Sequence, residues 1–265
     1  MSWHRTFTVA RTDIRQLVLA KDFWMPMSIL GSIFFVVVPL VLLFSIASLG
    51  DVDAVQNIAD TLEVLPAKAQ AQIKGDTPQG RTSYALAVFL FAPMAVVVPL
   101  TISTAVGAAT LVGERERGTG EFLAHSPAAT KEIYLGKLMA SLVPGYLTTM
   151  VGFTLYSLIV NLIVGPEVGG WFFPTQQWWL LMLWVLPGFL LIGLSLVLRL
   201  SGRVKSTAAA QQASGLITLP LIAVSYAHAS GAIYGTITTT IMIGAIAWFI
   251  GLVSTSRGMS GIRRQ

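Results

Sequence analysis

The densest group of chemically reactive side chains in this sequence lies in the stretch GERERGTGEFLAHSP, positions 113 to 127. Its carboxylates, guanidinium groups and imidazole can exchange protons, form ion pairs or bind a charged partner. The stretch stands out because only 11% of the chain is charged. Its titratable residues are Glu114, Arg115, Glu116, Arg117, Glu121 and His125. This stretch is therefore the first candidate for a functional site.

Catalysis would need a nucleophile with a base, or a metal cluster, held in fixed geometry. The three histidines, His4, His125 and His228, fall in separate regions of the predicted topology, and the chain has no cysteine. The sequence also lacks the G-x-x-x-x-G-K-[ST] loop that binds nucleotide phosphates. We therefore predict no catalytic residue, no metal site and no cofactor bound by this chain. Any energy it uses must come from another polypeptide.

The elements that position this stretch are predicted to be membrane spans. The charged fraction is under half the globular norm of about 25%, and the mean hydropathy is +0.73. Five long intervals contain no charged residue, and the longest has room for two helices of about 20 residues. We predict an all-α integral membrane protein, one transmembrane domain over residues 1–265. The six predicted spans are 24–48, 85–111, 139–164, 178–199, 208–228 and 232–254.

The positive charges predict which side of the membrane each loop occupies, because cytoplasmic flanks retain Lys and Arg during insertion. Segments 1–23, 112–138, 199–207 and 255–265 carry 4, 4, 3 and 3 of the 17 basic residues, that is 14. Both termini are therefore predicted to be cytoplasmic. A plasma membrane, and a prokaryote as the source, are separate expectations. The same sorting explains the net charge of +5 without a nucleic-acid partner.

Two segments outside the spans have helical patterns. In segment 1–23, apolar residues recur at steps of three and four, which predicts an amphipathic helix lying on membrane lipid. An ordinary solvated cytoplasmic helix is the alternative. The outer loop 49–84 is predicted to be partly helical on both sides of Pro66. The apolar stripe of the first segment is Trp3, Phe7, Ala10, Ile14 and Leu17.

The charged stretch sits in the loop between the second and third spans. Thr119 is a candidate N-cap for a short helix that presents Phe122 and Leu123 to a partner and ends before Pro127. The loop resembles that of the membrane subunits of type-2 ABC exporters, which carry roughly E-x-E-x-G-T-x-E-x-L-x-x-x-P and then a G-K pair. The matching residues are Glu114, Glu116, Gly118, Thr119, Glu121, Leu123 and Pro127, followed by Gly136 and Lys137. Gly120 departs from the larger apolar residue that is usual there.

The resemblance implies a permease without catalytic activity of its own. Its loop would form a coupling helix that inserts into a separate ATP-binding cassette subunit, which holds ATP and Mg²⁺. Two permease subunits, identical or different, would meet and export a substrate between them.

The resemblance places the substrate path largely along the second and fifth spans, which contain prolines and hydroxyl side chains. Prolines free backbone carbonyls and produce kinks that can act as hinges. Simple close packing of helices is the alternative for these residues. The path or hinge candidates are Pro93, Pro99, Thr101, Thr218 and Pro220.

Two other classes of function remain open from the sequence. One is an ATP-independent channel or scaffold subunit of a membrane complex. The other is an ion-coupled secondary carrier, which the lack of charged residues inside the predicted spans disfavours.

Overall fold

The computed structural model describes residues 2–49, 57, 60, 70–116, 128–200, 207–229 and 236–261. Across these residues the chain is helical and forms no strand. One π-helical stretch joins α2 to α3 and another joins α7 to α8, while a third follows α4. The helices are α1 (Trp3–Leu19), α2 (Lys21–Ser32), α3 (Val38–Leu49), α4 (Pro78–Ala85), α5 (Met94–Glu116), α6 (Thr130–Ile163), α7 (Gln176–Leu180), α8 (Leu186–Leu200), α9 (Thr207–Ala229) and α10 (Ile237–Gly261).

Five helical segments of the described chain are long and apolar enough to cross a membrane, which confirms an all-helical, multi-pass architecture. Helix α9 coincides with the predicted fifth span, 208–228, but is not among the five. The count of six spans therefore stays a prediction. The five segments are Trp24–Ser48, Pro78–Thr110, Thr130–Ile163, Gln176–Leu200 and Ile237–Met259.

Several helices begin before the predicted spans. Helix α4 starts at Pro78 because Thr77 caps it, with Thr77 Oγ1 accepting a hydrogen bond from the Gly80 N–H at 3.0 Å. Helix α6 starts at Thr130 rather than 139. Charged residues mark where the hydrocarbon ends, but a helix can continue past them into water. Helix α4 thus begins inside the predicted outer loop 49–84, and the boundary of that loop at the membrane stays a prediction; most of 50–69 lies outside the described residues.

The second and fourth spanning segments form the centre of the bundle. About two thirds of the second and 72% of the fourth are buried, against 28% of the first and of the last. The outer faces carry large exposed apolar side chains such as Phe44 and Phe249. Exposed apolar surface of this kind suits contact with lipid or with another membrane subunit.

The bundle has two distinct ends. At one end, the Ser2 N–H donates to the Glu132 carboxylate, and Gly258 approaches Tyr134 so closely that a Cβ there would lie 2.5 Å from its hydroxyl. We call this the α1 end. At the far end, Thr77 hydrogen-bonds to Glu167 at 3.2 Å. The start of α1, the start of α6 and the last residues of α10 thus lie together at the α1 end.

Candidate functional site

The structure describes only the borders of the predicted coupling loop. Glu114 and Glu116 lie in the last turn of α5, so the predicted loop 112–138 is narrower and its first residues are helical. The other predicted contacts with an ATP-binding subunit lie outside the described residues, and their conformation stays a prediction. They are Gly118, Thr119, Glu121, Phe122, Leu123 and Pro127.

The two helices that border this loop pack against each other and are joined by a buried lysine. Lys137 on α6 is 1% exposed, and its Nζ donates to the Thr110 carbonyl oxygen on α5 at 3.0 Å. From Thr110 to the end of α5, and from the start of α6 to Lys137, the helical rise is about 9–10 Å. The described ends of the two helices that border the loop therefore lie about that far beyond the contact, at the α1 end of the bundle.

The same lysine holds α1. Lys137 Nζ lies 3.4 Å from Asp13 Oδ2, and the Asp13 side chain is 11% exposed. Beside it, α1 meets the bare backbone of Gly136, where a Cβ would lie 2.8 Å from Val9 Cβ. Glu132 adds a second polar contact, because its carboxylate accepts from the Ser2 N–H and from the Ala129 N–H. Helix α1 is thus fixed at two points along the first two turns of α6.

The buried face of α1 differs from the stripe read in the sequence. Thr6, Ala10 and Asp13 are buried, whereas Trp3 and Phe7 are more than 60% exposed. The structure has a helix over Trp3–Leu19, and its exposed aromatic residues suit a headgroup region. Its location on the membrane surface stays a prediction.

Sequence reasoning missed Asp13 and gave Lys137 no role beyond its place in a motif. The signal for Asp13 was its spacing, because Thr6, Ala10 and Asp13 recur at steps of four and three and so share one helix face. Positive charges before a span are usually read as a solvated cytoplasmic flank. Only the packing of α1 onto α6 shows that Lys137 is enclosed.

The five path or hinge candidates do not line one surface of the described chain. Pro93, Pro99 and Thr218 are buried within the bundle, whereas Thr101 and Pro220 are exposed. Thr101 Oγ1 donates to the Val97 carbonyl of its own helix. Their role in a substrate path stays a prediction, and a second subunit would be needed to enclose the exposed members.

Pro93 sits where the second spanning segment changes from a π-helical stretch, Leu86–Leu90, to α5. The Phe91 N–H bonds to the Leu86 carbonyl, so the carbonyls of residues 87 and 88 lose their usual α-helical donors. Tyr156 OH donates instead to the Ala87 carbonyl at 2.6 Å, and Trp178 Nε1 donates to the Val88 carbonyl at 2.9 Å. Side chains of neighbouring helices therefore satisfy the break, as backbone groups in a bilayer require.

Tyr156→Phe is expected to destabilise the protein by about 1 kcal/mol, because it removes the donor to the Ala87 carbonyl. The measurement is denaturant unfolding in detergent, followed by tryptophan fluorescence. Tyr84→Phe is the matched control, since the Tyr84 ring stacks on Phe172 at 5.1 Å and keeps that contact without its hydroxyl. Equal stabilities of the two variants would contradict the role given to Tyr156.

A pocket of about 520 Å³ opens at the far end, between the starts of the second, fourth and last spanning segments. Lys74, Tyr84, Thr175, Gln177 and Thr236 contribute to its lining. None of the five path candidates lines it. The pocket and the predicted path are therefore separate features of this chain.

A comparison with protein families gives one match that covers nearly the whole chain. The sequence model of a family described as ABC-2 family transporter protein matches residues 7–256. No curated protein matches the chain.

Proposed function

The chain belongs to the ABC-2 family of transporter proteins, and from this premise we propose that it is the permease subunit of an ATP-driven exporter. Membership makes it a multi-pass membrane subunit of the ABC transporter type. The observation that carries the finer proposal is the charged loop after Glu116, bordered by two packed helices at the α1 end. In the proposal this loop docks on an ATP-binding cassette subunit, which holds ATP and Mg²⁺, while this chain supplies no catalytic residue.

The proposal includes a sixth pass and cytoplasmic termini. Leu198 near the end of α8 packs with Tyr134 at the α1 end, and Ile237 at the start of α10 lines the far-end pocket. The chain between them must return along the bundle. Helix α9, with 23 residues, is about 34 Å long, close to the thickness of the hydrocarbon. The basic residues of the sequence favour the α1 end as the cytoplasmic one.

A second permease subunit, identical or different, would complete the substrate path. Helix α9 packs against α5 and α8, but Leu216 and Leu219 on it are 71% and 56% exposed. Thr101 and Pro220 are exposed as well. These residues could line a path between two subunits, with lipid covering the remaining apolar faces. Export as the direction of transport rests on the family resemblance.

Glu121→Ala and Gly118→Leu are expected to reduce permease-dependent ATP hydrolysis about tenfold, a change of about 1.4 kcal/mol, because each alters the proposed docking helix. The permease would be tagged in its native host, purified with its bound partner and assayed in nanodiscs. Asp76→Ala is the control, since Asp76 is an exposed acid near the far end.

The other classes of function predict different results from the same assay. A channel or scaffold subunit would co-purify with no nucleotide-dependent activity. An ion-coupled carrier would respond to an ion gradient and be indifferent to Glu121. Full ATP hydrolysis with either loop variant would refute the proposed docking site.

A further inference from the structure

Lys137 lies where three helices of the bundle meet: α1, α5 and α6. Its charged side chain is almost completely enclosed. The chain has 17 basic residues in total. Lys137 contacts Asp13 on α1 and the Thr110 carbonyl on α5, and it belongs to α6 itself. The contact with Asp13 joins positions 124 residues apart.

The chemistry of an ammonium group suits this junction. Lysine presents three N–H donors and no acceptor, and Asp13 and the Thr110 carbonyl both offer it acceptor oxygens. Neighbouring hydroxyls extend the polar contact: Ser141 Oγ donates to the Lys137 carbonyl at 2.8 Å and lies 3.5 Å from Thr110 Oγ1. All of these groups are buried.

We propose that Lys137 is a positioning residue that makes α1 and the two helices bordering the coupling loop move as one body. The inference rests on the proposed function, in which the loop receives a displacement from an ATP-binding subunit. The described ends of α5 and α6, through which the displacement would arrive, lie about 9–10 Å along their helices from the Lys137 contact. Through Asp13 it reaches α1, and from α1 it passes across the single residue Ala20 into α2, where the first span begins.

Packing without this junction would hold α1 less rigidly. The Gly136 contact lets Val9 and the Thr6 carbonyl of α1 approach α6 closely, but it contains no hydrogen bond or ion pair between side chains. The Asp13 carboxylate and the Thr110 carbonyl are directional partners, and Lys137 must satisfy both from one position. A polar group that accepts a single arrangement can specify geometry even where it adds little stability.

The test uses the cysteine-free background of the chain. Spin labels at Thr8→Cys on α1 and Leu155→Cys on α6, both exposed positions, would report their separation by double electron–electron resonance. The full chain would be in nanodiscs, with and without its bound ATPase, ATP and vanadate. The Asp13→Leu/Lys137→Met variant removes both charges and keeps apolar bulk, so that it folds.

We expect one narrow distance distribution in the parent protein, and at least a twofold broader one in the double variant. An unchanged width in the double variant would overturn the inference. Asp13→Glu should keep the narrow distribution, because it retains the carboxylate, whereas Asp13→Asn should broaden it.

Failure of the inference and failure of the proposed function are distinguishable in this experiment. The widths of the distributions are measured on the permease alone, so they test the junction whether or not an ATPase binds. Suppose that ATP hydrolysis by the complex is insensitive to Glu121→Ala and Gly118→Leu, but the distance distribution of Asp13→Leu/Lys137→Met is broader than that of the parent. In that case only the proposed function fails. If the α1–α6 distance distribution of the double variant stays as narrow as that of the parent protein, with and without ATP and vanadate, the positioning role of Lys137 is wrong.

Discussion

Asp13→Ala is expected to lower the free energy of unfolding by about 3–5 kcal/mol, because it removes a carboxylate partner of the buried Lys137 ammonium. Lys137 is 1% exposed, so water cannot replace that partner without opening the contact between α1 and α6. The measurement is denaturant unfolding in detergent micelles, followed by the fluorescence of the seven tryptophans. The stability of the parent protein provides the reference.

Two further variants separate a stranded charge from lost packing. Lys137→Met should cost less than Asp13→Ala, because the Asp13 side chain is 11% exposed and can reach water more easily than the lysine. Asp13→Leu/Lys137→Met should recover most of the loss, since a buried ion pair is often replaceable by apolar side chains of similar volume. If the double variant were as unstable as Asp13→Ala, packing of α1 rather than charge would dominate the energetics there.

The spans were readable from the sequence because hydropathy is a local property. A residue-by-residue search for uncharged intervals predicts 24–48 and 178–199, and helices cover both with nearly the same bounds. It does not give the starts of the helices, since Arg81 and Lys137 lie inside helices that continue beyond the apolar window. The Thr77 and Pro78 pair was a capping signal that a search for uncharged intervals does not use.

The contacts around Lys137 were not readable in the same way. The family motif includes Gly136 and Lys137 as a pair, but their physical roles depend on a helix more than 120 residues earlier in the chain. Gly136 makes room for Val9, and Lys137 meets Asp13. A single sequence contains no signal that aligns these positions, so composition alone assigns both Asp13 and Lys137 to solvated surfaces.

Proline in the second span illustrates an intermediate case. The sequence predicts a break near Pro93, because the residue lacks an N–H and frees a carbonyl. It does not reveal that the break is a π-helical stretch whose carbonyls bind Tyr156 and Trp178. Both donors come from other helices, so the prediction gives the position of the kink and the tertiary structure decides how rigid it is.

Gly145→Ala is expected to destabilise the protein toward the upper part of the range of about 1–3 kcal/mol that overpacking costs. Gly145 lies on α6 where it crosses α5, and a Cβ there would lie 2.0 Å from Ser103 Oγ and 3.3 Å from Ser103 Cα. The hydroxyl can rotate away, but the backbone of α5 cannot yield without separating the helices. Small residues at such crossings are what allow membrane helices to approach. Unfolding in detergent measures the loss.

Gly31→Ala is the matched control, because a Cβ at that buried helical position would meet only Thr148 Cγ2, at an ordinary 3.7 Å. It should be neutral or stabilising by up to about 1 kcal/mol, from the better helix propensity of alanine. Ser103→Gly combined with Gly145→Ala should relieve the clash, because removing the Ser103 side chain from α5 makes room for the alanine methyl group on α6. Equal losses for Gly145→Ala and Gly31→Ala would mean that the α5–α6 crossing is looser than its interatomic distances indicate, and the second and third spans would then have freedom to slide.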